Sequence, residues 1–196
     1  SSDLSEGPTY EKQYPNGPLS ELNSAQEKAV THSRGPAMVL AGPGTGKTKT
    51  LTAHIYHLIK NEGIQSKSIA AITFTNKAAE EIKERLKQML NAAGGSIGVF
   101  TGTFHSLGLQ ICRTHCGKLN RTADFKLIDS GDAMAILKFV TGENMRETKV
   151  RADEISAYKQ EIIHQLPSES KQIMEQYDQY MTDQNLLDLD DLIFHP

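Results

Sequence analysis

Membrane-spanning segments are missing from this 196-residue chain: no apolar run approaches the roughly 20 residues that a bilayer core demands, and no basic stretch followed by a hydrophobic one opens it. A cytoplasmic location is the expectation. Cysteine is scarce as well. Cys112 and Cys116 are the only two, too few for a disulfide framework, and a helix holding both would set them one turn apart. They read as reduced, partly buried thiols. A metal site with His115 or His105 is the rival reading, weakened because one helical turn does not make a tetrahedral set. Internal repeats and low-complexity tracts are also absent, which leaves a globular chain long enough to bury a real core.

What is present is unevenly distributed. The net charge is −3, yet residues 37–128 carry +7 while residues 129–196 carry −8. A polyanion-binding face is permitted in the first of these stretches, with a solvated basic face as the plain alternative. Residues 1–18, "SSDLSEGPTYEKQYPNGP", are rich in proline and poor in aliphatic side chains, so they read as a polar tail or linker. With no starting Met, the chain is expected to be an excised piece of a longer one.

From Ala37 short apolar runs alternate with helical patterns. "AMVLA" (37–41), "IAAITFT" (69–75) and "IGVFTGTF" (97–104) read as strands. Helices are expected over 24–31, over 47–63 closed by Gly63, from Asn76 to Leu90, and after His105. In the third of these Ala78, Ile82, Leu86 and Met89 or Leu90 make one apolar stripe, and Glu81 with Arg85 makes an i,i+4 pair. Such alternation predicts an α/β fold with a parallel sheet and crossover helices. Beyond residue 128 the patterns over 130–140, 151–164 and 168–184 are helical, with no further apolar β-run. We therefore divide the chain into a tail (1–18), the first part of an α/β domain (19–128) and a helical insertion returning toward it (129–196).

"AGPGTGKT" (41–48) follows a predicted strand and opens a predicted helix, which is what a phosphate-binding P-loop requires. Gly44 and Gly46 let backbone N–H groups approach phosphate oxygens, Lys47 reaches the β- and γ-phosphates, and the Thr48 hydroxyl is offered to Mg²⁺. Upstream, "LNSAQ" has two readings. Asn23 caps a helix while Gln26 reaches back to it, or the Gln26 amide, both donor and acceptor, recognises adenine. The two roles are compatible.

Taken together, Gln26 in "LNSAQEKAV", "AGPGTGKT", "AAITFTNKAAEEIKERL" (71–86), "TGTFHSLG" (101–108) and "NLLDLDDLI" (185–193) resemble, in this order, the N-terminal part of superfamily 1A DNA helicases of the UvrD/Rep/PcrA type. The resemblance runs from about Leu22 to Ile193. It implies a RecA-like P-loop NTPase fold with an all-helical insertion, ATP and Mg²⁺ as cofactors, and single-stranded DNA with its junctions to duplex as partner. Lys47 and Thr48 would be the catalytic residues. Nucleotide would be held by Gln26, Ala41, Gly42, Pro43, Gly44, Thr45, Gly46, Lys47, Thr48 and Lys49.

The same resemblance puts Phe74, Thr75 and Asn76, with Thr103, Phe104, His105 and Ser106, on the DNA track. Aromatic faces accept any base, and short polar groups at strand ends grip phosphate. The plain alternatives are a core role for Phe74, a helix cap for Asn76 and a structural His105. Asp188, Asp190 and Asp191 would belong to an insertion helix re-entering the core, not to the metal-binding acid motif, since no four apolar residues precede them. An Asp-Glu pair on a buried strand is lacking, as are the second motor domain and its arginines. The expectation is therefore the ATP-binding region of a 3′-to-5′ helicase acting in repair or replication restart, itself without ATPase or helicase activity. A helicase–nuclease motor and a non-enzymatic P-loop module binding nucleotide or DNA are the alternatives.

Overall fold

The computed structural model describes Leu19, residues 21–90 and residues 97–195; the polar tail read over 1–18 lies outside them. The chain forms two compact units that join in sequence between Thr103 and Phe104.

In the first unit α1 (Ser24–Val30) begins on Asn23, whose side chain accepts from the Gln26 backbone while the Gln26 side chain accepts from the Asn23 backbone. That reciprocal box satisfies two of the donors a helix start leaves orphaned. Next come α2 (Lys47–Lys60), a 3₁₀ turn (Ser66–Ser68), β1 (Ala70–Thr73), α3 (Asn76–Met89) and β2 (Phe100–Thr103). β1 and β2 pair in parallel, Ala70 opposite Phe100 through Thr73 opposite Thr103, with α3 as the crossover. Of the expected stripe of α3, Ile82 and Leu86 are buried while Ala78, Met89 and Leu90 are half-buried, with Ala79 buried in place of Ala78, and Glu81 and Arg85 meet at 2.9 Å. Ile82 and Leu86 close a core with Ile55, Ala71, Ile97 and Val99.

One expected strand does not form. Residues 37–41 are assigned to no element, and Met38, Val39 and Leu40 are 86%, 58% and 89% exposed. A strand exists only as a member of a sheet, and among the described residues the sheet here has two strands, β1 and β2. The apolar run pairs with neither outer edge of that sheet. The fold is thus α/β and mostly helical, with short parallel pairs.

The second unit contains α4 (Phe104–Thr114), a 3₁₀ turn (Cys116–Leu119), β3 (Lys126–Leu127), α5 (Ser130–Thr141), α6 (Met145–Lys159), α7 (Ser168–Asp183), β4 (Leu186–Leu187) and α8 (Asp191–Phe194). Two expectations change here. α6 starts six residues before the apolar pattern suggests, because the Asn144 side chain accepts from the Arg146 and Glu147 N–H groups. The 185–193 stretch is not one helix: Leu186–Leu187 pairs in parallel with Lys126–Leu127, and a turn then leads into the single-turn α8. Two cores serve this unit. Leu137, Ile155, Tyr177 and Met181 join α5, α6 and α7; Cys112, Phe125, Leu187 and Leu192 join α4 to the returning strand and α8. Among the described residues no helix is long and apolar enough to cross a membrane.

Candidate functional site

The glycine-rich loop folds as its residue types require. Gly44 (φ 73°) and Gly46 (φ 84°) occupy the left-handed region, which a Cβ disfavours. Gly46 caps α2 without a side-chain bond, so the first N–H groups of the helix and the positive end of its dipole are left to an anion. Lys47 folds back over the loop, Nζ donating to the Gly42 carbonyl at 2.8 Å and the Ala41 carbonyl at 3.4 Å. The Thr45 hydroxyl also donates to Gly42, at 2.8 Å. An ammonium anchored on loop carbonyls is held where phosphate oxygens would arrive.

A cavity of about 650 Å³ opens over this loop, within the range that small-molecule and cofactor sites occupy. Gln26, Ala41, Gly42, Thr45, Lys47 and Thr48 line it. Pro43, Gly44 and Gly46 shape the loop without forming wall. Lys49 points elsewhere, its Nζ donating to the Glu21 carboxylate at 2.9 Å and the Glu21 carbonyl at 3.2 Å. That hydrogen bond and the lysine charge hold the Glu21 carboxyl below its ordinary range.

Gln26 is engaged at both ends of its amide. Oε1 accepts from Asn23 N at 3.0 Å, and Nε2 donates to the Thr45 carbonyl at 3.1 Å. The side chain therefore braces α1 against the phosphate loop. Recognition of adenine by the same amide would exchange one of these bonds for the base.

The cavity also recruits residues that motif reading passed over. Thr50, Leu51 and His54 face it from α2, and Thr73 from the end of β1. His54 Nδ1 lies 2.8 Å from the Val30 carbonyl. A signal was available: counted from Lys47, these positions recur at helical spacing on one face of α2. None of the described lining residues is a carboxylate. The Thr48 hydroxyl is one of four threonine hydroxyls on the lining, with Thr45, Thr50 and Thr73, and a hydroxyl oxygen fits Mg²⁺, a metal that commonly keeps waters and takes the rest of its octahedron from substrate phosphates.

The stretches read as a DNA track sit at strand ends. Phe74 follows the last residue of β1 and is 94% exposed, which removes the core alternative. Thr75, not Asn76, caps α3, its hydroxyl accepting from Ala78 N at 3.2 Å; Asn76 is the first helical residue. Thr103 lies alongside Thr73 in the parallel pair. Phe104 and His105 are the exposed first residues of α4, in the second unit, with Ser106 half-buried behind them.

The C-terminal acids do something the sequence did not suggest. Lys159, 2% exposed, donates through Nζ to Asp188 at 2.9 Å and Asp191 at 2.6 Å, and the Tyr177 hydroxyl donates to Asp188 at 3.0 Å. Burial pushes the Lys159 ammonium down, but Asp191 and Asp188 outweigh it, so its pKa is raised. Burial and the Asp188 charge raise the Tyr177 phenol. Asp190 is bonded to Gln160 instead. Cys112 and Cys116 are free thiols, and the described residues hold no cluster of three or more His, Cys, Asp or Glu placed to take a metal ion.

Comparison with known proteins places these features in a family. Over 189 residues, 89% of this chain, the sequence is 39% identical to the ATP-dependent DNA helicase Rep of Escherichia coli (strain K12) and covers 28% of that protein. It is 36% identical over 188 residues to the Rep helicase of Buchnera aphidicola subsp. Baizongia pistaciae, again covering 28%. To a probable DNA helicase II homolog of Rickettsia felis it is 34% identical over 194 residues, covering 29%. The chain thus spans under a third of the length of these relatives. The model of the UvrD/REP helicase N-terminal domain matches residues 22–196, from the helix that braces the phosphate loop to the acids around Lys159, and the chain belongs to that family.

Proposed function

We propose that this chain is the ATP-binding region of an ATP-dependent DNA helicase that translocates 3′-to-5′ on single-stranded DNA and engages junctions with duplex, in DNA repair or replication restart in the cytoplasm. The observation that carries the reading is the cavity where Gln26, the glycine loop, Lys47 and Thr48 converge. Residues 19–128 then belong to the first RecA-like motor domain and 129–196 to its helical insertion.

In this reading Lys47 exchanges its loop carbonyls for the β- and γ-phosphates. The N–H groups at the start of α2, with the backbone of Ala41, Gly42, Pro43, Gly44, Thr45 and Gly46, cradle the phosphate chain, and Thr48 takes Mg²⁺ through its hydroxyl. Bound Mg²⁺ supplies charge neutralisation at the phosphates. Gln26 faces adenine, and Lys49 would reach the nucleotide only by leaving Glu21. Phe74, Thr75, Asn76, Thr103, Phe104 and His105 contact DNA, aromatic rings on bases and short polar groups on phosphates. Because Thr73 lines the cavity and Phe74 follows it, a change at the phosphates has one residue to travel.

The 196 residues alone are expected to bind ATP without turning it over, since no described carboxylate lines the cavity to fix metal and water. Titrating the chain with a fluorescent ATP analogue and Mg²⁺ tests the site: Lys47→Ala should weaken binding by about tenfold or more, the scale of one charge-assisted contact. Equal affinity in the variant would overturn the nucleotide reading. Robust DNA-stimulated hydrolysis by the unaltered chain would overturn the expected inactivity.

A further inference from the structure

α8 is four residues long, too short to persist alone, since helix nucleation costs more than one turn returns. Two devices hold it. Asp188 and Asp191 bond each other's backbone, Asp191 N donating to Asp188 Oδ1 at 2.8 Å and Asp188 N to Asp191 Oδ2 at 3.0 Å. Their remaining oxygens receive the Lys159 ammonium from the end of α6 and, at Asp188, the Tyr177 hydroxyl from α7. The turn is thereby fastened to the helical core.

On its other side α8 meets α4 at backbone distance. A Cβ built on Gly108, one turn into α4, would overlap the Leu192 carbonyl oxygen and lie 2.9 Å from its carbonyl carbon. Leu192 itself is 1% exposed in the core that also holds Cys112 of α4. Four residues before Gly108 stands Phe104. One buried ammonium thus connects α6, α7 and α8, and α8 fixes the helix whose first turn carries Phe104 and His105.

We propose that Lys159, Asp188 and Asp191, acting through the contact of Leu192 with Gly108, are positioning residues that hold the first turn of α4 in place for single-stranded DNA. The inference rests on the DNA reading of Phe104 given above. A helix end that must present a flat ring to a passing base gains from a rigid seat, because freedom left in the ring must be lost again on binding. The cluster supplies that seat at a distance, without touching DNA.

The chain has no tryptophan, so Phe104→Trp keeps an aromatic ring and installs a single fluorophore at the point in question. In that background Gly108→Ala, Lys159→Met and, as a control, Asn144→Ala, which removes the cap at the opposite end of α6 from Lys159, are compared at temperatures where circular dichroism shows each folded. Gly108→Ala and Lys159→Met should each lower the anisotropy of the introduced indole and weaken its quenching by oligo(dT) by about tenfold, the scale of one lost base–aromatic stack. Asn144→Ala should change neither. Should Lys159→Met fail to fold, Gly108→Ala decides. Unchanged anisotropy in Gly108→Ala, or an equal loss in Asn144→Ala, overturns the positioning role. If a labelled oligo(dT) fails to bind the unaltered chain, the DNA reading falls and with it the purpose of the seat, while the anisotropies still report whether the cluster fixes the first turn of α4.

Discussion

At Gly46 two constraints act on one atom: the backbone is left-handed at φ 84°, and a Cβ there would lie 3.0 Å from Gln26 Nε2. Gly44, at φ 73°, has open space around the same hypothetical atom. Gly44→Ala should therefore cost only the left-handed strain, about 1–2 kcal/mol. Gly46→Ala should cost that much and also displace the amide that braces Thr45, lowering affinity for a fluorescent ATP analogue by about a further tenfold. Equal affinities in the two variants would remove Gln26 as the brace. At this scale the sequence was legible wherever a residue acts through its neighbours in the chain. Asn23 and Gln26 form the box their spacing predicts, and Gly44 and Gly46 take the conformation only glycine accepts readily. It was silent on Lys159, which looks like any solvated helical lysine until Asp188 and Asp191 return some thirty residues later to bury it.

Among the elements, the α8 junction depends on charge in a direction that can be worked out. Burial pushes the Asp191 carboxyl up, but the His195 hydrogen bond and the Lys159 charge outweigh it, so its pKa falls below the ordinary 3.8. A depressed carboxyl contributes stability that is present above 3.8 and fades as pH drops below it. The raised ammonium of Lys159 contributes fully below its ordinary 10.5 and loses its contribution as pH climbs past that value. Asp178 opposes both: burial raises it to about 6, so it disfavours the folded unit as pH rises from 3.8 through about 6. Chemical unfolding followed by circular dichroism should show an alkaline fall in stability beginning above the lysine value, and Lys159→Met should lose that part of it. The variant should also be about 3–5 kcal/mol less stable near neutrality, because two buried carboxylates lose their partner. An alkaline fall identical in both proteins would show that the ammonium does not hold the junction. The elements that escaped sequence reading fail for one reason: they depend on partners distant in sequence. Residues 37–41 have the composition of a strand yet pair with neither outer edge of β1 and β2, whereas Leu186–Leu187, only two residues long, becomes a strand by pairing with Lys126–Leu127.

For the molecule as a whole, six of the twelve basic side chains of residues 37–128 are already committed within the fold. Lys83, Arg85 and Lys87 are each paired with a glutamate of α3, and Lys49 is paired with Glu21. Arg121 is committed to the Leu186 and Leu119 carbonyls. Arg113 donates to the Ala123 carbonyl and lies over the Phe125 ring. Electrostatic attachment to single-stranded DNA should then be limited, with the logarithm of affinity falling against the logarithm of salt with a slope no steeper than about −4, as for six phosphates. A slope near about −8, as for twelve, would mean that the committed side chains are released on binding. Lys77 is the exposed second residue of α3, three positions past Phe74, and is the cation best placed to meet the backbone of a strand whose base stacks on that ring. Lys77→Ala should weaken oligo(dT) binding uniformly across base compositions and flatten the slope by about 0.7. Phe74→Ala should weaken binding by about 1–3 kcal/mol while leaving the slope alone, because stacking releases no counterions. Charge and stacking thus separate into two measurable quantities, and a Phe74→Ala variant whose loss appeared in the slope would place the ring away from the bases.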